Sequence, residues 1–208
     1  MTRRFVLMIL LLIGFATGCA TTNPNVTPVT DNKTRIEQRG YSILPPEGEN
    51  WFSMKTAPGS VALAKKLEDS PAHTFTATVF ATPFTVRFNS PEEFKEFVEK
   101  GQKADTDPNR FTTLEYNISL DDRFGAYTVR YHSKMEDRKA KVSPVDTQFL
   151  IMEITGYTFI HPDSPDLVLH VQYSDRYKKG EKDPSLDEIG EKFINNFKVM
   201  PLKEADNK

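Results

Sequence analysis

The stretch SLDEIGEKFINNF (185–197), near the C-terminus, has the pattern of an amphipathic helix. Ser185 followed by Glu188 has the spacing of a capping box, which predicts that the helix begins at Ser185. The apolar residues recur at helical spacing and share one face: Leu186, Ile189, Phe193, Ile194 and Phe197. Because that face must be buried, the helix is expected to lie against a sheet.

A second amphipathic helix is predicted for SPEEFKEFVEKGQK (90–103). Ser90 is the expected N-cap, Pro91 occupies the first helical position, and Glu93 completes a capping box. Its apolar stripe consists of Phe94, Phe97 and Val98. This helix therefore also has one face to bury.

Strand patterns fill most of the remaining chain. HTFTATVFATPF (73–84) alternates polar and apolar residues, which is typical of a strand with one buried face. The predicted strands are 40–46, 51–56, 60–67, 73–84, 112–120, 125–135, 147–162 and 166–176. The last four form two hairpins, so the predicted fold is α+β, an antiparallel meander sheet flanked by amphipathic helices.

This order of elements resembles the PsbP-like αβα sandwich. The resemblance covers roughly residues 40–200 and rests on the helix opening Ser-Pro-Glu-Glu-Phe, the long strands, and the closing PSLDEIGEKFINNFKV (184–199). Known members of that fold mostly bind partners or stabilise assemblies. The resemblance thus implies a non-catalytic binding or accessory module, and no catalytic signature accompanies it.

The N-terminus has the organisation of a secretory signal. Arg3 and Arg4 precede an apolar run at 5–16, and small residues follow. The run is shorter than the ~18 residues of a membrane-spanning helix, so a transmembrane anchor is the weaker interpretation. We therefore predict a signal peptide over residues 1–18.

Ala16-Thr17-Gly18-Cys19 resembles the lipobox of bacterial lipoproteins, although Ala16 stands where leucine is commonest. The resemblance implies cleavage between Gly18 and Cys19 and attachment of acyl chains such as palmitate to Cys19. Ala20, rather than aspartate, implies transfer to the outer membrane, with the domain facing the periplasm. Ordinary secretion with a leftover cysteine is the alternative.

Composition divides the rest of the chain and limits its partners. Residues 19–39 are polar and are expected to form a flexible tether, followed by one globular domain at 40–201 and a polar tail at 202–208. Removal of residues 1–18 takes two arginines and no acid from the 27 basic residues, which leaves 25 against 29 acidic ones. This balance does not favour a nucleic-acid partner.

No motif for a metal, cofactor or nucleophile is present. The histidines lack the spacing of a zinc site: His73, His132, His161 and His170. His132 and His170 could approach each other if their strands were neighbours, but ordinary sheet histidines are the preferred interpretation. The segment 105–109 begins like a calcium loop and then departs from that pattern at Arg110 and Tyr116. We predict no cofactor and no metal.

Two charged stretches, 133–146 and 174–185, are interpreted as solvated loops or as loops that face a partner. Tyr173, Arg176 and Tyr177 are the candidate partner-binding residues, because Tyr and Arg are enriched at binding hot spots. The sequence favours a non-enzymatic module anchored to the membrane that binds an envelope protein or a small ligand. An envelope hydrolase with a site invisible in motifs is the alternative.

Overall fold

The structure, a computed structural model, describes residues 25–67, 72–140 and 147–202. The elements are β1 (Val26–Pro28), β2 (Ile36–Gln38), β3 (Tyr41–Ile43), β4 (Trp51–Met54), β5 (Val61–Lys66), β6 (Thr74–Pro83), α1 (Pro91–Asp105), β7 (Phe111–Asp121), β8 (Thr128–Asp137), β9 (Leu150–His161), β10 (Ser164–Tyr177), α2 (Pro184–Asn195) and β11 (Lys198–Val199). The predicted signal peptide, Gly18, Cys19 and most of the polar tail lie outside the described residues. No helix within them is long and apolar enough to cross a membrane.

The described strands form two antiparallel sheets. The larger has the order β1-β4-β5-β6-β10-β9-β8-β7, and the smaller has the order β11-β3-β2. The two predicted hairpins are confirmed, since β7 pairs with β8 and β9 pairs with β10. The predicted α+β class with an antiparallel sheet is confirmed.

The two helices lie on opposite faces of the large sheet. Tyr173 of β10 contacts α2, since a Cβ added at Gly190 would lie 2.4 Å from its ring. Val129 of β8 belongs to the cluster of Phe94 and Val98 from α1. Tyr173 pairs with Thr155, and Thr155 pairs with position 132 of β8, so all three side chains point to the face that carries α2. Side chains alternate along a strand, and position 132 is three residues from Val129, so Val129 points to the other face.

Helix α2 begins two positions earlier than the capping-box spacing predicts. Its N-cap is Asp183, whose Oδ1 accepts a hydrogen bond from the Ser185 backbone N–H at 2.9 Å. The prediction of Ser185 as N-cap is wrong, because Pro184 needs no hydrogen bond at the first helical position and an aspartate precedes it. The predicted apolar face is confirmed by burial of Leu186 and Phe193, each at 1 % exposure.

Helix α1 begins as the sequence predicts. The backbone N–H of Glu93 donates to Ser90 Oγ at 3.2 Å. The Glu93 carboxylate accepts from the Asn89 backbone N–H at 2.8 Å, so the return bond of the capping box falls one residue before the N-cap. Phe94 and Val98 are buried, whereas Phe97 is 37 % exposed at the margin of the stripe.

Residues 25–39 belong to the fold, so the prediction of a flexible tether is wrong for this part of 19–39. Strand β1 pairs with β4, and β2 pairs with β3. Arg35 Nη2 donates to the backbone oxygens of Ser42 at 2.7 Å and Asn196 at 2.6 Å. Strands of three residues carry too few side chains to show a hydrophobic period, which is why the sequence did not reveal them.

A buried histidine ties the two sheets together. His161 is 1 % exposed, and its Nε2 lies 3.1 Å from the Gly40 carbonyl and 3.0 Å from the Met200 carbonyl. Its Nδ1 accepts from the Asp163 backbone N–H at 3.1 Å. Since Nδ1 accepts, Nε2 carries the proton and donates to the carbonyls just before β3 and just after β11.

Candidate functional site

An open groove of about 600 Å³ lies on the face of the large sheet that carries α2. Helix α2 contacts mainly β10 and β6, so the same face remains uncovered toward β7. The groove is defined by side chains of the uncovered strands and of the chain around α2: Asn117, Ser119, Arg130, His132, Glu153, Thr155, Tyr173, Lys182, Asp187 and Glu191. We name it the α2-side groove.

The register of four strands aligns its floor. Asn117 pairs with His132, His132 with Thr155, and Thr155 with Tyr173. Residues directly opposite each other in an antiparallel sheet point to the same face. One row of polar side chains therefore crosses the sheet from the edge strand β7 to the foot of α2.

A buried carboxylate anchors one end of the groove. Glu153 is 7 % exposed and receives Lys134 Nζ at 2.8 Å, Lys182 Nζ at 2.7 Å and the hydroxyl of Tyr177. Burial pushes the pKa of Glu153 upward, but these hydrogen bonds outweigh it and lower the pKa to about 2. Glu153 therefore stays ionised near neutral pH and is not suited to proton transfer there.

The opposite wall is formed by α2 and β8. The Tyr173 hydroxyl donates to Glu191 Oε1 at 3.3 Å, and Arg130 Nη2 lies 3.9 Å from the same oxygen. Burial raises the pKa of Tyr173 to about 12, so the phenol keeps its proton. The Arg130 and Glu191 side chains are 51 % and 40 % exposed, so both can turn toward a ligand.

The two histidines that the sequence placed on alternating strands do not meet. Strand β9 separates β8 from β10, and the register puts His132 and His170 on opposite faces. His132 Nδ1 lies 3.0 Å from Thr155 Oγ1, and His170 Nδ1 lies 2.8 Å from Thr158 Oγ1. Within the described ranges, no group of three or more His, Cys, Asp or Glu side chains could hold a metal ion.

The candidate partner-binding residues lie in a strand and not in a loop. Tyr173, Arg176 and Tyr177 all belong to β10 and are 6 %, 4 % and 3 % exposed. Arg176 lies on the α1 face, where its Nη1 is 3.1 Å from Asp137 Oδ2. The prediction that these three stand in a partner-facing loop is wrong, because β10 continues through Tyr177. Tyr173 alone borders the α2-side groove.

Sequence reasoning missed most of the groove. Arg130, Thr155 and Glu191 carry no motif, and each is ordinary in its own segment. Their proximity depends on which strands pair and in what register, and α2 sets the remaining wall. Period-two alternation in β8 is the signal that the sequence offers, but it does not identify the partner strand.

A histidine and a carboxylate meet beside the groove. His73 Nε2 lies 2.7 Å from Asp175 Oδ1, and Asp175 is 1 % exposed. Burial raises the pKa of Asp175, and the contact with His73 offsets only part of this rise. Within the described part of the chain, no hydroxyl group forms a hydrogen bond with this pair.

Comparisons with known proteins give a distant likeness of fold. No protein-family model matches the chain, and no curated protein is significantly similar to it. The chain is similar to the solution structure of cyanobacterial PsbP (CyanoP) from Synechocystis sp. PCC 6803, with a TM-score of 0.36 and 10% sequence identity. The match covers 89% of this chain and 98% of that chain. The assignment to the α+β class rests on the strand pairing itself.

Proposed function

We propose that this chain is a lipid-anchored envelope lipoprotein whose periplasm-facing domain binds a polar ligand or a protein segment in the α2-side groove. The row Asn117–His132–Thr155–Tyr173 is the observation that carries the binding role. It presents hydrogen-bonding side chains on a sheet face that the helix leaves open.

The size and chemistry of the groove support binding. Its volume of about 600 Å³ lies within the usual range for ligand sites, roughly 300–1,000 Å³. Arg130 and Asn117 offer donors, and Ser119 and Glu191 offer acceptors, so a ligand with both kinds of group would be matched. Since charges of both signs line the groove, the expected ligand is polar and close to neutral or zwitterionic.

An envelope hydrolase is the second candidate, and one contact favours it. His132 Nδ1 lies 3.0 Å from the Thr155 hydroxyl, the distance at which an imidazole can accept a hydroxyl proton. Glu153, the carboxylate next along the groove, is committed to two lysines. Binding without conversion is therefore favoured over hydrolysis. If His132→Ala left ligand affinity unchanged and abolished turnover of an envelope substrate, the hydrolase would replace the binding module.

The membrane anchor is supported by the lipobox-like segment that ends at Cys19. Metabolic labelling with a palmitate analogue should mark the mature protein, which should sediment with outer membranes. Cys19→Ser should lose both properties, and because Cys19 is the sole cysteine, no other thiol can take the label. Unchanged labelling and fractionation of the variant would show that the anchor is wrong.

The groove can be tested separately with one dye. In a Cys19→Ser background, Asn117→Cys would carry an environment-sensitive dye in the groove, and Glu96→Cys would carry it on the exposed side of α1. Fractionated envelope extract should change the emission of the groove-labelled protein saturably and leave the α1-labelled protein unchanged. Equal responses at both positions would contradict binding in the groove.

A further inference from the structure

A second cavity lies on the opposite face of the sheet, under the C-terminal half of α1. Its volume is about 340 Å³. Six large side chains from β7, β8 and β9 give it a mostly apolar wall: Phe111, Tyr116, Tyr131, Met135, Met152 and Ile154. We name it the α1-side pocket.

The floor of the pocket contains a polar pair that needs a glycine between its members. Tyr131 pairs with Gly156, and Gly156 pairs with Gln172, so all three share one face. The Tyr131 hydroxyl donates to Gln172 Oε1 at 2.6 Å, across the central strand. A Cβ at position 156 would lie 2.5 Å from Gln172 Cβ and 2.8 Å from the Tyr131 hydroxyl. Glycine in a strand interior is otherwise unfavourable, and here it marks a close approach of side chains.

The wall beneath α1 is held in place by side-chain contacts. The Tyr116 hydroxyl donates to Gln102 Oε1 at 2.8 Å, which ties β7 to the helix. Lys103 Nζ lies 5.6 Å from the centre of the Tyr116 ring. The edge strand carries a β-bulge between Thr113 and Glu115, and bulges are frequent beside binding sites.

We propose that the α1-side pocket binds a small aromatic molecule that carries one hydrogen-bond acceptor. A dry cavity of about 150 Å³ can already hold benzene, so 340 Å³ accommodates one substituted ring. The thioethers of Met135 and Met152 make favourable contacts with aromatic rings. Gln172 Oε1 is occupied by Tyr131, so the amide nitrogen is the group that donates to the acceptor.

A neighbouring threonine hydroxyl on the same face of the sheet also has no partner within the described part of the chain. Thr78 pairs with Gln172 in the register, is 7 % exposed, and its Oγ1 has no hydrogen-bond partner among the described residues. Buried polar groups are nearly always paired in native proteins. The pocket is on the other side of the sheet from the α2-side groove, so this proposal does not depend on the proposed function.

Methionine methyl resonances provide a direct test, because the methionines beyond the signal segment divide into two classes. Met135 and Met152 line the pocket, whereas Met54 and Met200 do not. The full chain, labelled at methionine methyl groups, would be titrated with acetophenone. Ethylbenzene, which has the same ring and no acceptor, is the matched probe.

Acetophenone should shift the Met135 and Met152 resonances saturably and leave Met54 and Met200 in place. One hydrogen bond corresponds to about a two- to tenfold difference in affinity, so ethylbenzene should bind that much more weakly. Gln172→Met should abolish the difference between the probes. Thr113→Trp, at an exposed position on the rim, should block both probes. Parallel shifts of all four methionines, no saturation, or equal affinities in the unmodified chain would overturn the proposal.

Discussion

Two glycines at interior positions of the two helices offer a matched test of how α2 seats on the sheet. Gly190 of α2 faces Tyr173, and a Cβ there would lie 2.4–2.5 Å from three ring carbons. Gly101 of α1 has nothing within 4 Å of the corresponding position. Both substitutions by alanine gain the same helix propensity, about 1 kcal/mol, so their difference isolates the contact with the sheet.

Gly101→Ala should stabilise the domain by about 0.5–1 kcal/mol, because the added methyl group meets no neighbour. Gly190→Ala requires α2 and the Tyr173 ring to move apart by more than 1 Å before their carbon atoms return to ordinary contact distances of about 3.5–4.0 Å. Overpacking of this kind costs about 1–3 kcal/mol, and the severity of the contact places Gly190→Ala near the upper end. Because the gain in helix propensity offsets part of this cost, we expect Gly190→Ala to lower the free energy of unfolding by about 2 kcal/mol.

Urea unfolding followed by far-UV circular dichroism would measure both free energies of unfolding. The two variants should differ by about 3 kcal/mol, which corresponds to a difference in Tm of roughly 6–12 °C for a domain of this size. The double variant Gly190→Ala with Tyr173→Ala should lose less than the sum of the two single variants, because alanine at position 173 has no Cγ or Cδ atoms to block the methyl group. Equal stabilities of Gly190→Ala and Gly101→Ala would refute the direct seating of α2 on Tyr173.

Four further variants test contacts in the interior of the domain. Asp137→Ala should cost about 3–5 kcal/mol, since it leaves both Arg110 and the buried Arg176 without their carboxylate. Asp137→Leu combined with Arg176→Met should recover only part of that loss in the same unfolding assay, because Arg110 still lacks its partner. The pKa of Glu153 is lowered from 4.5 to about 2, so its contribution to stability is present above pH ~5 and is lost as the pH falls toward 2. Glu153→Gln should therefore flatten the dependence of Tm on pH in that window, and an unchanged slope would count against the ion cluster. Gly156→Ala should lower the Tm, because its methyl group would displace Gln172, and a Tm equal to that of the parent would contradict the close approach across β9.

The elements with strong local patterns could be predicted from the sequence. The apolar stripe of α2, the Ser90 N-cap of α1 and the two long hairpins all follow from periodicity and turn residues. Strands β1 and β2 could not be predicted, because three residues show no period. Strand β1 is ordered by pairing with the more distant β4, whereas β2 forms a tight hairpin with β3. The N-cap of α2 lies two positions before the predicted one, because Asp183 caps the helix in place of Ser185.

The site was largely invisible in the sequence because it depends on long-range register. His132, Thr155 and Tyr173 are far apart along the chain and come together only because β8, β9 and β10 pair as they do. Tyr173 was selected for its residue type, and its burial beneath α2 could not be inferred from composition. Arg176, selected on the same grounds, faces the other side and stabilises Asp137.

Photo-crosslinking inside the producing cell can show whether the α2-side groove is a binding site. A photoreactive amino acid at Ser119, in the groove, would be compared with one at Glu96, on the exposed side of α1, in the full chain. Ser119 should give a discrete adduct by mass spectrometry at several-fold higher yield, and Arg130→Glu should reduce that yield without changing the yield at Glu96. Equal yields at the two positions, or a Ser119 adduct that is indifferent to Arg130→Glu, would contradict a binding role for the groove.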